Sequence, residues 1–325
     1  MITAAGKDKA RSYAATVRLA GVSVFYGEVL GLSRVDLELN PGVTGIVGPN
    51  GSGKSTLMKT LTGLMPPDEG TLRILDGNPF RDAWIRQRIG FVPALECFHS
   101  ELTGRRNLTA AFLSHGHGGA EAKSLAIRAL EISGLTADGD RRYSTWSRGM
   151  RQRLKLGLVL AEDRPIVLLD EPFLGVDPPT RRQLRQQILD LGEAGRTVLV
   201  SSHVLHEVEA LTDRVGVLAH GRLLGFGRIA DLLESLRDRH PHRVRLLLAD
   251  PRKLAAALAA LPHITEIKLG SEGELEFVTD RPEIAYRELP GIIAETGCLV
   301  RRVETLDNGL AAVFRHVTAP GGDHL

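Results

Sequence analysis

Cysteine is nearly missing from this 325-residue chain, which has only Cys97 and Cys298. Two thiols so far apart in sequence make no disulfide framework, which excludes the small stapled secreted scaffolds and points to a reducing cytosol. Long apolar runs are missing too. None approaches the roughly 18–20 residues of a membrane span, and no charged-then-apolar stretch opens the chain as a secretory leader would. Charge of one sign is scarce: 41 Lys and Arg against 39 Asp and Glu leave a formal net charge of +2. That small excess, with arginines spread along the chain, argues against a nucleic-acid partner. Asn107-Leu108-Thr109 fits a glycosylation acceptor, which carries no meaning in a cytosolic chain. What remains is an ordinary globular composition, 43% hydrophobic and 25% charged, at a length that suggests about two domains.

One stretch stands out. Gly48-Pro49-Asn50-Gly51-Ser52-Gly53-Lys54-Ser55-Thr56 fits G-x-x-x-x-G-K-[ST], a phosphate-binding loop. Small residues let successive backbone N–H groups turn inward as an anion nest. A helix starting near Gly53 would aim its positive end at the same phosphates. Lys54 can reach β- and γ-phosphates, and the Ser55 hydroxyl can hold Mg²⁺. Val43–Val47 before the loop reads as a short buried strand and 55–61 after it as a helix. The loop lacks G-x-G-x-x-G, which excludes a Rossmann dinucleotide binder.

Val17–Val24 alternates as a strand, Phe25-Tyr26-Gly27 reads as a turn and Val35–Leu39 as a second strand. Met65 to Gly70 is a breaker cluster, followed by a strand over 71–75. Residues from about 95 to 160 read as mainly helical, interrupted at His115–Gly119. Ile166–Asp170 and Thr197–Ser202 are continuous apolar runs with polar ends, the pattern of buried parallel strands, with a helix over 180–191 between them. Strands alternating with helices imply a doubly wound core. Beyond a connecting helix at Ile229–Arg239, strands at 243–248, 264–269, 274–279 and 298–303 and helices at 251–261 and 282–296 give the order β-α-β-β-α-β, a ferredoxin-like arrangement. A closing helix is expected over 307–317.

Trp146-Ser147-Arg148-Gly149-Met150 precedes the 166–170 strand and resembles the signature motif of ABC-type ATPases, whose usual form is L-S-G-G-Q; the Ser and one Gly are kept. Ser-x-Gly-Met-x-Gln-Arg is similar to the variant in ABC-2-type exporter ATPases. The resemblance spans about 17–228 with its motifs in order. It implies that Asp170 holds Mg²⁺ and that Glu171 polarises the water attacking the γ-phosphate. The plain alternative is an acidic strand end capping the next helix. Leu174-Gly175-Val176-Asp177-Pro178 matches the family's D-loop, with Asp177 at the dimer interface. His203 falls at the family's switch histidine; read from spacing alone, His203 and His206 are also a possible pair of metal ligands. Tyr26 stands where the family stacks an aromatic on adenine, against the alternative of a core tyrosine. One position departs. The family commonly has glutamine where this chain has Ala94, which offers no oxygen, and Glu96 is a nearby substitute.

The expected fold is α/β: a P-loop NTPase with an ABC-type nucleotide-binding domain and helical subdomain over 16–228, a linker helix over 229–241, and a small α+β ferredoxin-like domain over 242–317. Residues 1–15 and 318–325 are expected to be tails, the first of them mobile. The resemblance implies an ATP-binding and hydrolysing subunit of an ABC-2-type exporter, with ATP and Mg²⁺ as cofactors. It further implies a head-to-tail dimer with a second copy or a homologous subunit, in which Ser147, Arg148, Gly149 and Met150 act on the partner's ATP. The working partner is an integral membrane permease, with this subunit peripheral on the cytoplasmic face. Two other readings compete: a soluble ABC-type ATPase outside transport, and a weakly hydrolysing ATP-dependent regulator suggested by Ala94. The missing second cassette and missing long coiled-coil insertion weigh against the first, and Glu171 and His203 against the second.

Overall fold

The computed structural model describes residues 17–237, 242–306 and 309–318. The chain divides into two compact units between Phe226 and Gly227. In the first, the order is β1 (Val17–Tyr26), β2 (Val29–Leu39), β3 (Gly42–Val47), α1 (Lys54–Leu61), β4 (Glu69–Ile74), α2 (Ala83–Arg86), β5 (Ile89–Val92), α3 (Gly104–Ser114), α4 (Gly119–Ile132), α5 (Arg148–Ala161), β6 (Ile166–Asp170), α6 (Pro178–Glu193), β7 (Thr197–Ser202), α7 (Leu205–Glu209), β8 (Arg214–Ala219) and β9 (Arg222–Arg228).

Six strands form the main sheet in the order β5-β6-β7-β3-β8-β9, parallel from β5 through β8. Every residue of β6 and β7 is buried, because a parallel strand is covered on both faces. Alternate side chains then divide between two cores. Leu168 and Leu199 face a core shared with α1 and with an antiparallel sheet of order β2-β1-β4. Val167, Leu169, Val198 and Val200 face the other way, against Leu156 and Val159 of α5 and Leu184, Ile188 and Leu191 of α6. A third core gathers α3, α4 and α5 around Phe112, Leu130, Tyr143 and Trp146. Two helix starts are capped by side chains: Ser147 accepts from the Met150 amide, and Asp177 from Thr180 with Pro178 next in line, the arrangement that satisfies the otherwise orphaned first-turn donors.

Several local expectations shift. Phe25 and Tyr26 are strand rather than turn: β1 pairs with β2 as far as Tyr26 opposite Val29, and Gly27, at φ +61°, makes the turn. β2 starts at Val29 rather than Val35, its alternation broken at Arg34 by a left-handed φ of +46°. β5, β8 and β9 carry too little pattern of their own to be read as strands without their neighbours.

At the α3–α4 connection, His115 and His117 both reach the Glu162 carboxylate, at 3.0 and 2.9 Å. Arg164 joins it at 2.6 Å and donates to the Ile89 carbonyl of β5. Burial alone would raise the Glu162 carboxyl, but hydrogen bonds from His115, Arg164 and His117 outweigh it and bring its pKa down to about 2. This carboxylate is one of the fastenings between the helical block and the main sheet.

The second unit runs α8 (Ile229–Arg237), β10 (His242–Leu248), α9 (Pro251–Ala259), β11 (Ile264–Leu269), β12 (Glu274–Thr279), α10 (Pro282–Thr296), β13 (Val300–Thr305) and α11 (Gly309–Thr318). Its sheet has the order β11-β12-β10-β13 with every pair antiparallel. Val244, Leu246, Leu275 and Phe277 bury one face with α9 and α10. On the other face Glu304, Arg245, Glu276 and Lys268 stand opposite one another across all four strands. The last strand begins two residues later than the 298–303 reading. The expected tail 1–15, residues 238–241 of the expected linker and 319–325 lie outside the described residues.

Glu162→Gln should destabilise the chain by roughly 3 kcal/mol at neutral pH, since it leaves a buried guanidinium without its counter-charge. A carboxyl whose folded pKa is depressed stabilises above its ordinary value of 4.5, and that contribution is lost as pH falls toward about 2. Urea unfolding of the two proteins should therefore show a gap that is full at pH 7 and narrows below pH 4.5. An equal gap across that range would contradict this account.

Candidate active site

Parallel register brings three strand ends together. Val47 lies opposite Ser202, and Asp170 opposite Ser201. The phosphate loop after β3, the Asp170-Glu171 pair after β6 and the Ser201-Ser202-His203 run after β7 thus share one carboxyl-end edge, the place where open α/β sheets bind ligands.

In the loop, Gly51 and Gly53 adopt φ of +77° and +107°, and Gly53 caps α1. Gly48 is the tightest position: a Cβ there would stand 2.2 Å from the Leu218 carbonyl and 2.5 Å from Ser52 Oγ. Lys54 is 7% exposed; its ammonium donates to the Gly48 and Pro49 carbonyls at 2.7 and 3.1 Å and lies 3.8 Å from Glu171 Oε1. Burial pulls its pKa down, opposed by the charges of Glu171 and Asp170. Ser55 Oγ donates to Asp170 Oδ2 at 3.0 Å, and the Ser201 hydroxyl donates to Oδ1.

Glu171 takes a left-handed φ of +50°, held by its amide donating to the Ser201 carbonyl and hydroxyl at 3.1 and 3.2 Å. Such a conformation costs a non-glycine residue energy and clusters at functional sites. His203 Nδ1 sits 2.9 Å from Glu171 Oε2. Lys54, Ser55, Asp170, Glu171 and His203 therefore form one connected group. His206 is not part of it; it lines a cavity of about 110 Å³ with Arg181, Arg182 and Glu207, and among the described residues no group of three His, Cys, Asp or Glu is placed to hold a metal.

Tyr26 is 42% exposed, so it is not a core residue. Its ring crowds Gly31, and its hydroxyl is 3.3 Å from Thr56 Oγ1, beside the loop. The signature residues stand elsewhere. Ser147 and Arg148 are exposed at the start of α5, with Gly149 buried behind them. Gly149 backs onto Asp177, whose Oδ1 would be 3.0 Å from an added Cβ, and the Arg148 guanidinium covers Gly175. Among the described residues no hydrogen bond joins Ser147–Met150 to the phosphate loop of the same chain.

The loop around Ala94 is held from outside. Lys155 Nζ, buried in α5, donates to the Pro93 and Leu95 carbonyls at 2.9 and 3.3 Å. Glu96, the suggested stand-in for glutamine, instead accepts the Tyr143 hydroxyl at 2.6 Å. Sequence reasoning gave no role to Ser201, Ser202, Lys155 or Glu207. Only the serines left a signal, as polar residues ending an apolar strand.

The residues fit a nucleoside triphosphate with Mg²⁺. Left-handed glycines at 51 and 53, a buried ammonium and an unpartnered buried hydroxyl at Ser52 suit phosphate oxygens, and the Ser55 hydroxyl with the Asp170 carboxylate is the hard oxygen set that Mg²⁺ takes.

Comparison with known proteins shows the family. The model of the ABC transporter family matches residues 32–174. The chain is 32% identical over 306 residues to the daunorubicin resistance ATP-binding protein DrrA3 of Streptomyces coeruleorubidus, covering 93% of this chain and 95% of that one. It is 28% identical to the Nod factor export ATP-binding protein I of Rhizobium etli, over 88% of this chain and 90% of that one. Among solved structures it resembles an ATP-binding subunit of an ABC transporter, with a TM-score of 0.62 and 25% identity over 68% of this chain and 93% of that one. It also resembles a dimeric ATP-binding cassette in a post-hydrolysis state bound to ADP and Pi, with a TM-score of 0.60 and 27% identity over 65% of this chain and 98% of that one. The chain belongs to the ABC transporter ATP-binding family. Within it, the chain is an ATPase of the ABC exporter type.

Gly48→Ala should weaken ATP binding at least about tenfold, because the added methyl collides with a carbonyl and with Ser52. Gly118→Ala, with open space around it and φ −65°, is the neutral control. Calorimetric titration with ATP checks both; equal affinities would refute the close approach.

Proposed function

We propose that the chain drives an integral membrane permease by ATP-dependent closure of a head-to-tail dimer, from the cytoplasmic face of the membrane. Among the described residues no helix is long and apolar enough to cross a membrane, so the cargo path belongs to a partner. The observation that carries the reading is the connected group Lys54–Glu171–His203 beside Ser55–Asp170. Glu171 is the general base toward the attacking water, with His203 orienting it and contacting the γ-phosphate. Lys54 and the loop amides hold the phosphates, Tyr26 stacks on adenine, and Ser55 and Asp170 hold Mg²⁺. Held by those two residues, Mg²⁺ would supply neutralisation of the phosphate charge.

Ser147, Arg148, Gly149 and Met150, at an exposed helix start away from their own phosphate loop, cap the ATP held by the second subunit, with Asp177 at that interface. The dimeric cassette bound to ADP and Pi supports this arrangement. The second unit we read as a ferredoxin-like accessory domain, on its β-α-β-β-α-β order and its antiparallel sheet. It makes contacts rather than chemistry. No nucleic-acid partner is expected. Relatives named for drug resistance and Nod factor export match 93% and 88% of the chain, which favours transport over a soluble ATPase. The cargo is the permease's choice.

Glu171→Gln should bind ATP normally, hydrolyse it at least about a hundredfold more slowly and accumulate as an ATP-bound dimer on size exclusion. Lys54→Ala should lose nucleotide affinity instead. Normal turnover in Glu171→Gln would remove Glu171 from the chemistry. Ala94→Gln should raise turnover or tighten the Mg²⁺ dependence, since it adds an oxygen near the metal. Unchanged kinetics and Mg²⁺ titration would show that the ion's coordination is already complete.

A further inference from the structure

Behind Glu171 lies a second carboxylate that the reaction as described does not use. Glu207, on α7, is 9% exposed. Its Oε2 accepts the Ser202 hydroxyl at 3.1 Å, and the same hydroxyl is 3.4 Å from Glu171 Oε2. Ser202 is fully buried, and its oxygen accepts the Val204 amide at 3.0 Å, which fixes the rotamer. Glu207 Oε1 in turn meets Arg181 Nη1 at 3.4 Å. The other end of that guanidinium, Nη2, donates to the Val176 carbonyl at 3.3 Å. Val176 immediately precedes Asp177.

We propose that Arg181, Glu207 and Ser202 are positioning residues that tie the 174–177 loop, exposed at Leu174, Gly175 and Asp177 and buried at Val176, to the Glu171 carboxylate. The proposal rests on the reading of Glu171 as general base. The Ser202 hydroxyl has one proton and two carboxylates within reach. Drawn to Glu207, it leaves the Glu171 Oε2 lone pairs to His203 and to water. Released from Glu207, it turns to Glu171 and occupies the acceptor that the water proton needs. Arg181 sets this choice, because it holds Glu207 while gripping the backbone beside Asp177. Displacement of that loop by a second subunit pulls on Arg181 directly. The path runs through direct contacts: loop carbonyl, guanidinium, carboxylate, hydroxyl, base. Ser202→Ala removes the shared proton and leaves both carboxylates in place, so it isolates the hydroxyl's choice between them.

The test uses the full chain, with Glu171→Gln as reference. Glu207→Gln and Arg181→Met should each lower kcat about tenfold, the size of one charged hydrogen bond. The nucleotide dissociation constant should stay within about twofold of the wild-type value, well inside the tenfold step of 1.4 kcal/mol. Both should collect as ATP-bound dimers. The double variant should be no slower than either single one, because one chain of contacts is cut twice. In a Ser202→Ala background, Glu207→Gln should have no further effect. Multiplying losses, a fall in ATP affinity in step with Tm, or an unchanged kcat in Glu207→Gln would overturn the relay. A Glu171→Gln reference that turns over normally would instead overturn the reading of the base, which keeps the two failures apart. Arg181→Lys, which keeps the charge but not the two-ended grip, should recover less than half of the lost rate; full recovery would also count against the relay.

Discussion

The Asp170 carboxylate is the point from which the active-site geometry is set. It ends a strand whose every residue is buried, and a buried carboxylate must find hydrogen bonds. It finds two hydroxyls, Ser201 from the neighbouring strand and Ser55 from the first turn of α1. Satisfying that one group draws the phosphate-loop helix and the end of β7 onto the end of β6. The remaining active groups then follow by short steps along the chain: Lys54 precedes Ser55, Glu171 follows Asp170, and His203 comes two residues after Ser201. Their positions depend on parallel register, which is itself enforced by burial. A one-residue slip of β6 or β7 would exchange the two cores on which its alternate side chains depend.

Just past Glu171 the chain is anchored in the core by Phe173 and Val176. Leu174, Gly175 and Asp177 are exposed, and polar contacts hold that outer part of the segment. Two guanidiniums bracket it: Arg148, from the start of α5, covers Gly175, and Arg181, from α6, holds the Val176 carbonyl. Asp177 closes the segment by capping α6, and its oxygen lies against Gly149. The signature residues and this loop are therefore one surface in physical terms, although almost thirty residues of mostly buried helix and strand separate them in sequence. On our reading, whatever docks on that surface touches the backbone next to the base.

What was legible in the sequence follows from how local each signal is. The phosphate loop and the apolar strands at 166–170 and 197–202 each declare themselves within a few residues. β5, β8 and β9 do not, because short strands become strands only through the neighbours they pair with. Tyr26 was assigned to a turn because Gly27 follows it, yet pairing with Val29 carries the strand through it. The group joining Glu171 and His203 was readable only by resemblance, since nothing local says that residues 171 and 203 meet. Arg181, Glu207 and Lys155 were missed because a charged residue on a helix looks like a solvated face until the fold shows what it reaches.

Lys155 explains how the loop at 93–97 keeps its place with alanine at position 94. Its ammonium donates to the carbonyls on both sides of Ala94, so the backbone is fixed although the side chain has no polar atom. Burial lowers the Lys155 pKa, opposed first by Glu96 and further by Asp170, which places this cation in the field of both the loop and the metal-side carboxylate. Tyr143, from the helical block, fixes Glu96 at the far end of the loop. Two tasks are thereby separated. On our proposal, ligation of the ion falls to Ser55, Asp170 and water. The mechanical link between helical block and main sheet falls to Lys155 and Tyr143. Substituting Ala94 alters only the first task, so the loop can lose its oxygen and still move with α5.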